Sequence, residues 1–167
     1  MKSLVIKKTV MAALFAAITF IATYFVIPFP IVSGYINLGD CFVLLGGLIL
    51  GPYGFLSAAI GSTLCDILLG FIMYAPATFI IKGCMALIIY FIAGKKYSLL
   101  RHIIAAVLCE ALMICGYFVY ECFALKLGLS ALASVPYNCI QGLVGASASI
   151  IIYTILKKTG LPDKIRL

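Results

Sequence analysis

Residues 9–39, TVMAALFAAITFIATYFVIPFPIVSGYINLG, contain no charged side chain. Similar apolar runs fill the rest of the 167-residue chain, in which 65% of the residues are hydrophobic and 10% are charged. The mean hydropathy is +1.25. A water-soluble domain has about a quarter of its residues charged, and a membrane-crossing helix needs about 20 apolar residues. The sequence therefore predicts an integral membrane protein.

Turn-forming and charged residues divide the chain into six predicted transmembrane helices. Pro28-Phe29-Pro30 ends the first apolar run, Gly51-Pro52-Tyr53-Gly54 separates the second from the third, and lysine pairs follow the fourth and the sixth. The predicted helices cover residues 10–27, 38–50, 55–70, 77–93, 102–122 and 136–156. Strands of a β-barrel would alternate in polarity, which these segments do not. We expect an all-α membrane protein, a single domain over residues 1–167 with six transmembrane helices in one bundle.

Basic residues predict the orientation of this bundle, because cytoplasmic loops are enriched in Lys and Arg. The N-terminus, the loop after the fourth helix and the C-terminal tail carry Lys2, Lys7, Lys8, Lys95, Lys96, Arg101, Lys157, Lys158, Lys164 and Arg166. The opposite loops contain only Lys126. Both termini are therefore predicted to be cytoplasmic. Since the basic residues lie at the ends of apolar runs, the net charge of +7 does not indicate nucleic-acid binding.

Motifs typical of metal centres and of common hydrolases are absent from the sequence. The seven cysteines form no C-x-x-C pair and His102 is the only histidine, so no metal or haem site is predicted. No G-x-x-x-x-G-K-[ST], H-E-x-x-H or G-x-S-x-G segment occurs. We expect no catalytic residues, no cofactor and no ATP hydrolysis by this chain.

Charged and amide side chains persist in the predicted helices although each is costly in a bilayer. Most of them fall near the outer ends of the helices: Asn37, Asp40, Asp66, Lys82, Glu121, Asn138 and Gln141. Glu110 alone falls near the middle of the membrane. On the fifth helix, helical spacing places Glu110, Met113, Tyr117 and Glu121 on one stripe. These side chains predict one polar cavity that opens outward.

Tyrosines fall near the same level of the membrane, at positions 35, 74, 117, 120 and 137. With the amide side chains they suit a small, planar solute that forms hydrogen bonds. The alternative is that they form the ordinary interfacial belt of a membrane protein, which is the simpler interpretation for any one of them.

Lys82 also has two interpretations. In the first, it forms a structural ion pair with Asp40 or Asp66, because an unpaired buried charge is costly. In the second, it contacts a ligand. Glu121, Asn138 and Gln141 have no comparable charge partner, which favours a ligand role for them.

Small residues on the first helix indicate close helix packing. Ala12, Ala13, Ala16 and Ala17 form two overlapping A-x-x-x-A pairs. Small residues one turn apart allow another helix backbone to approach closely in lipid. From spacing alone, the alanines are equally suited to docking a partner protein and to packing within the bundle.

Residues 36–83 resemble the S components of energy-coupling factor (ECF) vitamin transporters, in particular the riboflavin-transporter-like branch. The resemblance is carried by INLGD at 36–40, LLGG at 44–47, LGPYG at 50–54, GS at 61–62, DILLG at 66–70, YAPAT at 74–78 and IKG at 81–83. It implies a six-helix substrate-binding subunit in a prokaryotic plasma membrane. It also implies a membrane-embedded coupling subunit and two cytoplasmic ATPases as partners, in addition to membrane lipid.

The resemblance also implies which residues bind ligand and partner. Its pocket corresponds to Tyr35, Asn37, Tyr74, Lys82, Tyr117, Glu121, Asn138 and Gln141. Its docking surface corresponds to the four alanines, without a choice between the two pairs. The acidic Glu121 and the amides favour a pyridoxine-type vitamer or hydroxymethylpyrimidine as the substrate, with riboflavin as the alternative.

Two other functions remain open from the sequence. A membrane enzyme would use Glu110, Asp66 or Glu121 as acid or base, but the sequence supplies only Glu110 at mid-depth. A proton-coupled secondary transporter would work through Glu110, and it is expected to show inverted repeats or broken helices.

Overall fold

Six α-helices and one short hairpin make up the computed structural model, which describes residues 2–28, 35–95, 97–160 and 162. The helices are α1 (Lys2–Tyr24), α2 (Gly39–Leu50), α3 (Tyr53–Leu68), α4 (Ala75–Ile89), α5 (Leu99–Val119) and α6 (Val135–Lys158). The hairpin strands are β1 (Ile27–Pro28) and β2 (Tyr35–Ile36), which pair antiparallel. Predictions that rest on Phe29, Pro30, Lys96, Lys164 and Arg166 lie outside the described residues.

Short irregular helices extend this framework. α4 and α5 continue as single π-helical turns over Tyr90–Gly94 and Tyr120–Ala124, and a 3₁₀ helix covers Gly128–Ala133. Each of the six helices overlaps one predicted segment, although most ends differ by a few residues. The largest difference is at α1, which begins at Lys2 rather than at Val10 and ends at Tyr24 rather than at Ile27. Lysine is a good helix former, so the basic N-terminus extends the helix beyond its apolar part. Neither the hairpin nor the 3₁₀ helix was predicted.

Four helical segments in the described part of the chain are long and apolar enough to cross a membrane. They are Val5–Tyr24, Ala75–Gly94, Leu99–Ala124 and Gly128–Lys158. α2 and α3 are shorter, with 12 and 16 residues. Large apolar side chains such as Val10, Val107 and Leu143 are exposed on the outside of the bundle, as expected for a surface that meets lipid.

α2 lies at the centre of the bundle, where it packs against α1, α3, α4 and α6. Almost all of its residues are buried. Glycines permit this packing: a β-carbon at Gly54 would lie 2.8 Å from the Cα of Gly47, and one at Gly145 would lie 2.7 Å from the Cβ of Asp40. The turn between α2 and α3 uses Gly51 at φ 62°, a conformation that favours glycine. α2 therefore brings its first residues against α6.

Candidate functional site

A polar cavity lies at the end of the bundle where α1, α3 and α5 end and where α2, α4 and α6 begin. It is narrow, with about 50 Å³ open to the centre of a water molecule. Its lining includes every residue that the sequence predicted to contact ligand: Tyr35, Asn37, Tyr74, Lys82, Tyr117, Glu121, Asn138 and Gln141. Tyr120 and Tyr137 do not line it.

The single lysine of this lining is paired. Lys82 Nζ donates to Asp40 Oδ1, and both residues are buried. Its second contact is the sulfur of Met113 at 3.2 Å, and Nζ lies 5.6 Å from the ring centroid of Tyr117. Of the two carboxylates considered from the sequence, Asp40 forms the ion pair. Asp66 instead accepts a hydrogen bond from the Tyr35 hydroxyl.

Gln141 connects the start of α2 to α6 through its own hydrogen bonds. Its Oε1 accepts from the backbone N–H of Asn37 at 3.0 Å and from Asn37 Nδ2 at 3.1 Å. Its Nε2 donates to Asp40 Oδ2 at 2.7 Å. Asn37 Oδ1 in turn accepts from the backbone N–H of Gly39 at 2.7 Å. Both the oxygen and the nitrogen of the Gln141 amide are therefore hydrogen-bonded within the protein, although Gln141 was predicted as a ligand contact.

Asn138 differs from Gln141 in this respect. Asn138 is 7% exposed and lines the cavity. No side-chain hydrogen bond joins it to any residue that the structure describes, so its donor and its acceptor remain open to a bound molecule.

Glu121 lies in the π-helical turn that follows α5, close to the start of α6. Its Oε2 accepts from Ser134 Oγ at 2.5 Å and its Oε1 from the Tyr74 hydroxyl at 3.2 Å. Ser134 precedes the first turn of α6, where the helix dipole favours a negative group. Glu121 is therefore held in place while one side of it faces the cavity.

Aromatic residues give the cavity flat walls. The rings of Tyr35 and Phe71 lie 4.9 Å apart and those of Tyr74 and Tyr117 lie 6.4 Å apart, by their centroids. Burial raises the pKa of the Tyr35 hydroxyl above its usual range, and the nearby Asp66 raises it further. Burial, followed by Glu121, likewise raises the pKa of Tyr74. Both hydroxyls therefore remain protonated hydrogen-bond donors.

Several cavity residues were not predicted from the sequence, namely Thr23, Ser62, Phe71 and Thr78. Helical spacing could have identified two of them, because Ser62 lies one turn before Asp66 and Thr78 lies one turn before Lys82. Thr78 Oγ1 lies 2.9 Å from the Tyr117 hydroxyl. Small hydroxyl side chains are common in apolar helices, so they gave no signal by residue type alone.

Glu110 lies below the cavity rather than on its wall. It is buried, and neither carboxyl oxygen has a hydrogen-bond partner among the described residues. A β-carbon at Gly142 would lie 3.0 Å from its Oε2, so α6 packs closely against it. The predicted stripe on α5 thus divides, with Tyr117 and Glu121 at the cavity and Glu110 in the core.

The four alanines of α1 line one apolar groove between α1 and α3, but the two pairs differ in exposure. Ala13 and Ala17 are exposed, whereas Ala12 and Ala16 are half-buried. α1 packs along α3, where a β-carbon at Gly61 would lie 2.5 Å from the carbonyl oxygen of Ala16. Ala16 therefore serves contact within the bundle, and Ala13 and Ala17 face outward.

One solved structure resembles this chain in fold, and one curated protein resembles it in sequence. The S component of a bacterial ECF transporter has the same fold, with a TM-score of 0.68 and 24% sequence identity over 92% of this chain and 96% of that one. An uncharacterized protein from Pyrococcus woesei is 32% identical over 92 residues, which are 54% of this chain and 62% of that protein. This chain therefore matches less than two thirds of that relative.

The family model described as "ECF-type riboflavin transporter, S component" matches residues 3–158, nearly the whole chain. This match confirms the family resemblance seen in the sequence. S components are membrane proteins that bind a small-molecule substrate for a partner ECF module and are not themselves enzymes. The chain belongs to the S-component family of ECF-type transporters.

Proposed function

We propose that this chain captures a vitamin or vitamin precursor at the outer face of the plasma membrane for an ATP-driven ECF importer. The observation that carries the proposal is Asn138, a buried amide on the cavity wall without a hydrogen bond to any described residue. Its side-chain amide is reachable from the cavity, so a ligand that forms hydrogen bonds with this amide gains affinity. Lys82 and Gln141 both bind Asp40, and these contacts hold in place the part of the cavity wall on which Asn138 lies.

The favoured ligand is a compact heteroaromatic that carries hydroxyl or amine groups, such as a pyridoxine-type vitamer or hydroxymethylpyrimidine. The flat ring walls suit a planar molecule, and carboxylate and amide oxygens accept from its donors. The narrow cavity favours a small ligand, since sites for drug-sized molecules have about 300–1,000 Å³. Riboflavin is the second candidate, because the matching family is described as its transporter.

The topology we propose has six membrane spans and cytoplasmic termini. α2 is short, but it is enclosed by other helices and therefore does not need to match the bilayer by itself. The described basic residues Lys7, Lys8, Arg101, Lys157 and Lys158 belong to helix ends opposite the cavity. The positive-inside rule then places the cavity outside the cell. This orientation suits uptake.

The partners we propose are one membrane-embedded coupling subunit and two cytoplasmic ATPases, as the family resemblance implies. The sequence has no P-loop, so ATP hydrolysis is assigned to those partners. For docking we favour Ala13 and Ala17, because this pair is exposed on α1 while Ala16 is packed against α3.

Calorimetric titration of the full-length purified chain tests the ligand assignment. Pyridoxine, hydroxymethylpyrimidine and riboflavin are titrated separately into protein from cells starved of these vitamins. We expect a compact ligand to bind most tightly. Tight binding of riboflavin alone would replace the favoured ligand by the second candidate, and binding of none of the three would contradict both assignments.

Substitutions on α6 separate a ligand contact from a structural one. We expect Asn138→Leu to weaken binding by about 1–3 kcal/mol, the usual cost of leaving a polar partner unsatisfied, with little change in melting temperature. Gln141→Leu is the matched comparison and should lower the melting temperature, because it removes the links to Asn37 and Asp40. Unchanged affinity in Asn138→Leu would remove that residue from the binding site.

A further inference from the structure

The cavity contains carboxylates without a free cation to balance them. Asp66 and Glu121 line it, and Asp40 lies directly behind Lys82. Lys82 is the only basic residue among the described lining residues, and its ammonium group is paired with Asp40. Lys126, at the same end of the bundle, is exposed and does not line the cavity.

Two of the three helix N-termini at this end, those of α2 and α6, are also already matched with acidic groups. The third, that of α4, has no acidic residue in its first turn, but its first turn contains Pro76, which has no N–H to donate to an anion. Asp40 lies in the first turn of α2. Glu121 accepts from Ser134, which precedes α6. An anion in the cavity would therefore have to compete with carboxylates for the positive ends of these two helices.

One polar side chain of the same cavity is available to bind a ligand. Asn138 is more than nine-tenths buried, and its side-chain amide, unlike its backbone N–H, forms no hydrogen bond within the described part of the chain. It contributes both a donor and an acceptor but no charge. The groups open to a ligand are therefore a neutral amide and carboxyl oxygens.

We propose that this site selects unphosphorylated ligands and rejects phosphate esters and carboxylates, with Glu121 and Asp66 as the specificity-determining residues. The inference rests on the proposed function, since it assumes that the cavity holds the transported molecule. A phosphate group needs Arg, Lys or a free helix N-terminus to offset the loss of its hydration. Ionised carboxylates repel it, and protonated ones do not neutralise it.

This selectivity places the protein in a reaction sequence. If the cofactor form of the ligand is a phosphate ester, it enters the cell as the free alcohol. A phosphatase-type reaction outside must release the alcohol from any ester, and a kinase-type reaction inside must phosphorylate it after uptake.

Matched pairs of ligands test the inference on the full-length chain. Each pair is an alcohol and its phosphate ester: pyridoxine with pyridoxine 5′-phosphate, and riboflavin with flavin mononucleotide. We expect the ester to bind at least about 100-fold more weakly than the alcohol in the pair that binds. Glu121→Gln should narrow this ratio about tenfold, because it removes a negative group while keeping an amide oxygen for Ser134.

Glu110→Gln is the matched control, since it makes the same chemical change below the cavity. It should leave the alcohol-to-ester ratio within about threefold of the wild-type value, because screening by the intervening groups weakens its effect. An ester that binds as tightly as its alcohol would overturn the inference. An equal effect of the two substitutions would overturn the assignment to Glu121.

Failure of the proposed ligands is distinguishable from failure of this inference. If neither pair binds, the ligand assignment is wrong, and the small molecule retained by the purified protein is identified by mass spectrometry. A neutral or cationic compound then supports the selectivity, and a phosphate or carboxylate compound contradicts it.

Discussion

Lys82→Met is expected to lower the free energy of unfolding by about 3–5 kcal/mol, the cost of leaving one partner of a buried ion pair alone. Asp40 is completely buried, and once Lys82 is removed, the Gln141 amide is its remaining side-chain donor among the described residues. Cys41, Cys65 and Cys109 are buried free thiols. Unfolding can therefore be followed during heating as the rise in fluorescence of a thiol-reactive dye above the signal from the exposed Cys115.

The double variant Lys82→Met with Asp40→Asn separates the ion pair from a ligand contact. Asn at position 40 retains an oxygen that can accept from Gln141 Nε2 but carries no charge. We expect this variant to recover a large part of the stability lost in Lys82→Met. Equal melting of the two variants, together with equal loss of ligand affinity, would show that Lys82 acts as a ligand contact.

The ion pair also shows where prediction from the sequence stops. Residue type and depth identified Lys82, Asp40 and Asp66 as one cluster, because buried charges require partners. The choice of Asp40 depends on how closely α2 and α4 approach, which Gly47 permits, since a β-carbon there would lie 2.3 Å from the carbonyl oxygen of Ala86. The close approach of α2 and α6 at Gly145 in turn brings Gln141 to Asp40. Contacts between helices this far apart in the chain leave no periodic signal in the sequence.

The helices themselves were largely predictable because apolar runs bounded by turn residues mark them directly. α2 was predicted over residues 38–50 and is observed over Gly39–Leu50. The two-residue strands of the hairpin are too short to show alternation, so nothing predicted them. For the cavity, the sequence identified the polar residues, because polar side chains in apolar helices cost free energy and need a reason to be there. Only the hydrogen-bond geometry distinguishes Asn138, which is open to a ligand, from Gln141, which is structural.

The exposed alanine pair leads to the second large effect, which concerns transport rather than binding. Ala13→Leu with Ala17→Leu adds bulk to the outward face of α1, where a partner helix backbone would have to approach closely. ATP-dependent uptake by the complete transporter should fall at least about tenfold, the effect of losing about 1.4 kcal/mol or more at the interface. The isolated chain should still fold and bind ligand, because both alanines are exposed and neither lines the cavity.

Ala12→Leu with Ala16→Leu is the matched control, with the same added volume one position earlier. Because Ala16 packs against α3 near Gly61, overpacking should destabilise the isolated chain by about 1–3 kcal/mol. The dye-based melting assay and ligand titration of both double variants distinguish the two effects. Full uptake by Ala13→Leu/Ala17→Leu would refute the docking assignment. Uptake by the wild-type chain without any ATPase would instead support proton-coupled transport, for which the buried and unpartnered carboxyl of Glu110 within the described bundle is the candidate group.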